Sequence, residues 1–175
     1  MTEKLKYELI KKLPDFEIRR YPAFSKITVT SPGSFMPAGN RAFQPLVTFI
    51  SGANDERQKI AMTAPVLQQP LSDELHRVSF VLPEDIAFEN IPVPRNSSIE
   101  RELAPEHYSA VRAFRGGWNQ ERFYLEGELL TRAVRDAGLQ SVGTLYWARF
   151  DPPWKPGFLK ENEVLIDLEG YGNEN

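Results

Sequence analysis

Polar and apolar residues alternate from Phe16 to Thr30. Phe16 and Ile18 stand against Glu17 and Arg19, and Ile27 and Val29 resume the period of two, which predicts a strand. Ser31-Pro32-Gly33 ends it. The period then changes. Phe43, Leu46, Val47 and Ile50 fall at i, i+3, i+4 and i+7, one face of a helix placed within Ser34 to Ile50. Pro37, Gly39 and Pro45 leave two options: the helix begins near Arg41, or Pro45 kinks it.

Lys59–Leu67 and His76–Leu82 read as strands, the second with Val78, Phe80 and Leu82 on one side. Pro83 to Ser98 is a proline-rich connection. Ile99 to Phe114 is extended again, broken at Ala104-Pro105. After the Gly116-Gly117 turn comes the clearest helix, Asn119 to Ala137, with a stripe of Phe123, Gly127, Leu130, Val134 and Ala137 and a cap at Gly138. Thr144–Phe150 and Glu163–Leu168 complete the strands.

This order repeats. A shift of 84 residues lays Phe24 and Ile27 on Tyr108 and Val111, Ala61–Val66 on Leu145–Phe150, and Phe80–Leu82 on Val164–Ile166. The expected fold is therefore α+β: a distorted antiparallel β-barrel of two pseudo-repeats, with two helices packed outside. We expect one domain over residues 1–175, with repeats at about 7–83 and 99–170 joined by the connection 84–98.

Charge and chemistry narrow the function classes. Lys+Arg number 21 against 24 Asp+Glu, a net charge of −3 that offers no basic face for nucleic acid. Cysteine is absent, which removes disulfides, thiolate nucleophiles and Cys-bound metal centres. The charged N-terminus and the lack of a long apolar run lead us to expect a cytoplasmic chain with no membrane partner, monomeric by default. No phosphate loop, G-x-S-x-G or H-E-x-x-H motif is present. The carboxylate pairs Glu126/Glu128 and Glu161/Glu163 read as solvated surface charge, and the two histidines, His76 and His107, as solvated strand-end residues. We expect no catalytic residue and no enzyme.

Three segments depart from plain scaffold. Residues 52–67, GANDERQKIAMTAPVL, put small residues and the adaptable Met62 into a strand containing Pro65, which should be an edge or carry a bulge. Residues 150–166, FDPPWKPGFLKENEVLI, hold Trp154 and Phe158 on a loop stiffened by three prolines, placed to cover a pocket or cap the core. The third is the first helix.

Together, FEIRRYPAFSKITV (Phe16–Val29), AFQPLVTFISGAND (Ala42–Asp55), KIAMTAPV (Lys59–Val66) and DPPWKPGFLKENEVLI (Asp151–Ile166) resemble the SOUL haem-binding protein family. The resemblance runs in order from about Tyr7 to Leu168. It implies the same two-repeat barrel and a carrier or buffer of haem, metal-free porphyrin or another tetrapyrrole, held in a shallow apolar groove beside the first helix. It puts Phe43 and Val47 against the ligand and Arg41 near a propionate. The contacts expected around them are Leu46, Ile50, Met62, Trp154 and Phe158. It assigns no iron ligand with assurance; His76 or His107 are the available candidates. The fold it implies also resembles bacterial effector-binding domains, which makes other apolar or cationic small molecules the rival ligand class. A tetrapyrrole-modifying enzyme is a more remote alternative.

Overall fold

The extended run expected over Phe16 to Thr30 is two strands, because Pro22 has no N–H to give a ladder. The computed structural model describes residues 2–172. In chain order its strands and helices are β1 (Glu3–Lys4), β2 (Glu8–Lys12), β3 (Glu17–Tyr21), β4 (Phe24–Pro32), α1 (Phe35–Ile50), β5 (Thr63–Ala64), β6 (Val66–Ser72), β7 (Leu75–Val81), β8 (Ile99–Ala104), β9 (His107–Arg115), α2 (Gln120–Asp136), β10 (Ser141–Arg149) and β11 (Glu161–Leu168). Short 3-10 turns lie at Phe88–Asn90 and Gly157–Leu159. The fold is α+β, with antiparallel sheets and two helices packed on them.

These elements form two compact units. The first comprises the chain up to Leu5 and Ala23–Pro105; the second takes Lys6–Pro22 and the chain from Glu106. In the first, β6, β7, β4 and β8 pair antiparallel in that order, and α1 packs on β4 and β7. Its core joins Ile27, Val29, Val78 and Phe80 from the sheet, and Leu82 just past β7, with Ala42, Leu46, Phe49 and Ile50 from the helix. In the second, β2, β3, β9, β11 and β10 pair antiparallel, and α2 packs on β9 and β11. Trp147 locks α2 to that sheet by donating from Nε1 to Phe123 O at 3.0 Å.

The helix α1 runs from Phe35, earlier than Arg41, and contains Pro45. Pro37 falls in its first turn, where a missing N–H costs nothing. Its buried stripe is Phe35, Ala38, Ala42, Leu46 and Phe49, rotated from the expected one, so Phe43 and Val47 lie on its flank.

The expected strand Lys59–Leu67 is a further departure. Residues 59–62 are irregular, β5 has only two residues, and the Ala64–Pro65 peptide is cis. Ladder pairing begins at Val66, which stands opposite Phe80, while Trp147 stands opposite Val164. β6 and β10 therefore correspond at a shift of 81, Val66 to Trp147. The two helices, β4 with β9, and β7 with β11 keep the shift of 84. The difference arises because residues 51–62 lengthen the path before β6, whereas residues 150–160 lengthen the path after β10.

Two expectations about charged groups also change. Glu126 and Glu163 are largely buried rather than solvated. Glu126 accepts from Arg112 Nε at 2.7 Å and Arg122 Nε at 2.9 Å, a cationic bracket that makes burial tolerable. His76 is fully buried, and His107 is stacked on Tyr21 with ring centroids 5.4 Å apart.

Candidate functional site: the flank of the first helix

The segment after α1 is held by a single asparagine. Asn54, fully buried, donates from Nδ2 to Phe49 O at 3.1 Å and to Gln58 O at 2.9 Å, and its Oδ1 accepts the Gln58 N–H at 2.9 Å. This closes the helix end and starts the return path. Ile60 N then donates to Ile50 O at 2.8 Å, and the Ile60 side chain enters the core. Thr63 Oγ1 donates to Val81 O, and β5 pairs in parallel with β1. KIAMTAPV is thus a strap joining the C-terminal end of α1 to the sheet. Its one hydroxyl is committed to the backbone.

This strap leaves Met62 partly exposed. On α1, Phe43 is 39% exposed although its ring meets Phe80 edge-on at 5.3 Å. Val47, one turn on, packs against the core while keeping an open side. Met36, seven residues before Phe43, lies on the same flank, half-buried. Met36, Phe43 and Val47 make an apolar strip, interrupted by the exposed Asn40, on a rigid helix. Leu46 and Ile50 sit behind it in the core and anchor it.

Arg41 is elsewhere. Two residues before Phe43, it lies about 200° away around the helix. Its guanidinium donates to Pro32 O at 3.4 Å. On that side Pro45, Thr48, Ile99 and Asn96 line a cleft of about 250 Å³. A larger cleft of about 540 Å³ lies between Phe88, Val93, Pro94, Ile99 and Arg101. The basic group within the strap is Lys59, which is exposed.

In the second unit, the face of the sheet opposite α2 is polar. Tyr146 Oη and Ser109 Oγ each donate to Asp167 Oδ1 at 2.7 Å, and His107 Nε2 is 3.9 Å from the same oxygen. Arg19 donates to Glu17 at 2.9 Å and to Tyr21 Oη at 3.1 Å, and pairs with Glu163 at 2.8 Å. Burial lifts the Tyr146 and Tyr21 hydroxyls above their ordinary range, and it lifts the Glu163 carboxyl despite Arg19. Sequence reasoning missed this face. The signal was available as polar residues at alternate positions, Glu17, Arg19 and Tyr21, in the predicted strand.

Trp154 and Phe158 are in the second unit and cap no core: they are 84% and 76% exposed. His76 is tied up beneath the start of α1, where Gln68 Nε2 donates to Phe35 O at 2.7 Å and approaches His76 Nδ1 at 3.2 Å. Among the described residues no group of three or more His, Cys, Asp or Glu is placed to hold a metal ion, and no helix is long and apolar enough to cross a membrane.

Among curated proteins none matches the chain in sequence. Solved structures do. The EcmrR C-terminal domain superposes with a TM-score of 0.67 at 13% identity, covering 93% of this chain and 98% of that one. A hydrolase from Listeria innocua gives 0.60 at 13%, covering 95% and 93%. SAV2435 bound to tetraphenylphosphonium gives 0.55 at 8%, covering 92% and 98%. At such identities these matches establish a shared fold. The sequence model of the SOUL heme-binding protein family matches residues 2–167, and the chain belongs to that family.

Proposed function

We propose that the chain binds haem or a related tetrapyrrole along the flank of α1 and acts as a carrier or buffer. The observation that carries this reading is the apolar strip of Met36, Phe43 and Val47, left open on a helix whose core face is complete, with the partly exposed Met62 in the strap that follows that helix. A porphyrin face would rest on the strip, and Lys59 is the cation best placed in sequence to meet a carboxylate. Bound haem would supply an iron centre. The chain's own contribution is apolar contact and orientation, since His76 is sealed beneath α1 and neither histidine belongs to the strip.

Magnitudes fit loose binding. Covering about 400 Å² of apolar surface contributes roughly 10 kcal/mol gross, against an association cost of about 4–15 kcal/mol. The net suits exchange more than permanent retention. Haemin titration followed at the Soret band tests it. Saturation near one equivalent is expected, with Val47→Asp and Phe43→Ala weakening it about tenfold or more. Absence of saturation at micromolar protein refutes the reading.

A second reading is favoured by the polar face of the second unit, where Glu17, Glu163 and Asp167 accompany Tyr7, Tyr21 and Tyr146. Arg19 already neutralises Glu17 and Glu163 and lies 4.0 Å over the Tyr7 ring, which leaves Asp167 beside Tyr146 as the carboxylate suited to an apolar organic cation, and the similar SAV2435 is described with tetraphenylphosphonium bound. Tetraphenylphosphonium titration of the parent and of Asp167→Asn separates the two readings. A hydrolytic role has weaker support: Ser109 is fully buried and donates to Asp167, not to His107.

A further inference from the structure

The loop of residues 150–160 is stiff but leaves its largest side chains unburied. Asp151 holds its base twice, accepting from Lys155 Nζ at 2.7 Å and from the Glu161 N–H at 2.5 Å. Lys160 Nζ donates to Pro153 O at 3.1 Å while resting 3.8 Å over the Trp118 ring. Gly157 lies so close to Gly117 that a Cβ there would come within 3.2 Å of the Gly117 Cα. With Pro152, Pro153 and Pro156 fixing φ, few loop torsions remain free. Trp154 and Phe158 nonetheless project into solvent, with Leu159 partly exposed beside them. An apolar tip fixed in this way loses little entropy on docking.

We propose that this tip docks on a phospholipid surface, with Trp154 and Phe158 inserted at the level of the headgroups. Two observations favour lipid over a protein partner. The first is area: a tryptophan and a phenylalanine together cover about 400 Å², half of the roughly 800 Å² that each side of a stable protein interface contributes. The second is charge: from Pro152 to Leu159 the tip carries no acidic residue, its one ion is the partly exposed Lys155 paired with Asp151 at the base, and Lys160 is buried against Trp118, so no negative charge at the tip repels anionic headgroups. Tryptophan is the side chain most at home at a bilayer interface, with an apolar body and one N–H. The net charge of the chain gives no hint of a membrane; the loop does.

The test uses the full ligand-free chain and vesicles of phosphatidylcholine containing one third phosphatidylglycerol. The parent should co-sediment. Trp154→Ala/Phe158→Ala, which removes no packed side chain and should keep the parent's Tm, should bind at least tenfold less at equal lipid. Trp147 is buried and Trp118 half-buried, so quenching by brominated lipid should report Trp154. Trp154→Phe should remove that quenching yet still sediment. A parent that stays in the supernatant, or a double variant that sediments like the parent, overturns the proposal. So does self-association of the parent, seen by sedimentation velocity and abolished in the double variant, because the tip would then be a contact between copies.

Discussion

Arg19 on β3 reaches the Glu163 carboxylate on β11 at 2.8 Å, across β9, which runs between them in the sheet. Both side chains are almost wholly buried, and Arg19 keeps a second partner in Glu17. Burial works against the Arg19 charge, yet the Glu163 carboxylate and the Tyr21 hydroxyl raise its pKa above the ordinary arginine value. Deleting one member of such a pair strands the other. Glu163→Ala should cost about 3 kcal/mol, and Glu163→Gln, which retains an acceptor, about 1 kcal/mol. Urea unfolding measures both. Equal values for the two variants would mean that the pair contributes nothing specific.

His76 should make stability depend on pH. Burial lowers its pKa below the ordinary histidine value, with Asp73 and Glu74 in the adjacent turn opposing. Between its folded pKa and the unfolded value of 6.5, the unfolded chain binds a proton that the folded chain refuses. Stability is therefore full above that window, falls as pH drops through it, and levels off once folded His76 protonates. The slope reaches at most about 1.4 kcal/mol per pH unit. His76→Gln should flatten this limb in urea titrations between pH 7 and 5. An unchanged slope would place the acid sensitivity elsewhere.

Gly127 sits where α2 crosses β10. A Cβ there would lie 3.0 Å from Leu145 Cδ1 and 3.1 Å from Trp147 Cζ2, and Trp147 is held by its bond to Phe123 O. Alanine gains about 1 kcal/mol in helix propensity but overpacks the contact by about 1–3 kcal/mol. We expect Gly127→Ala to lower the Tm, with loss of order in the near-UV signal of Trp147.

Asn54 makes three hydrogen bonds that close the end of α1. Asn54→Ala leaves Phe49 O and the Gln58 backbone without those partners, which should cost about 2–4 kcal/mol. Hydrogen exchange should quicken first in residues 57–62, before the sheet. Uniform exchange throughout would show that the strap is not a separate cooperative element.

Leu46 and Phe43 separate stability from binding. Leu46→Ala opens a cavity in the core and should cost about 2–5 kcal/mol, with haemin affinity retained in the folded fraction. Phe43→Ala should cost about 1–2 kcal/mol because its ring is only half covered, yet weaken haemin binding. Loss of binding in Leu46→Ala alone would move the ligand away from the flank.

Much of the fold was legible in the sequence. The switch from period two to period 3.6 located both helices, and the shift of 84 carried β4 onto β9 and β7 onto β11. The start of β6 escaped because Ile60 and Ala64 are apolar as a strand would be, but Ile60 fills the core and Ala64 ends the two-residue β5. The site was less legible. The pattern Phe43, Leu46, Val47, Ile50 cannot tell the core side of a helix from its flank. Only the packing of Phe35, Ala38, Ala42 and Phe49 fixes the rotation that exposes Phe43. The burial of Glu163 was hidden because its counter-charge, Arg19, lies 144 positions away in sequence.

The two repeats spend their extra residues at different joints, one between α1 and β6, the other between β10 and β11. A duplicated plan with its insertions at unlike joints has two independent sites for variation. Outside Asn54 and Ile60, which hold the end of α1, residues 51–62 can be recast, and residues 150–160 belong to the other unit. For engineering, this makes the chain a scaffold with two separately adjustable loops, each rooted in its own helix-backed sheet.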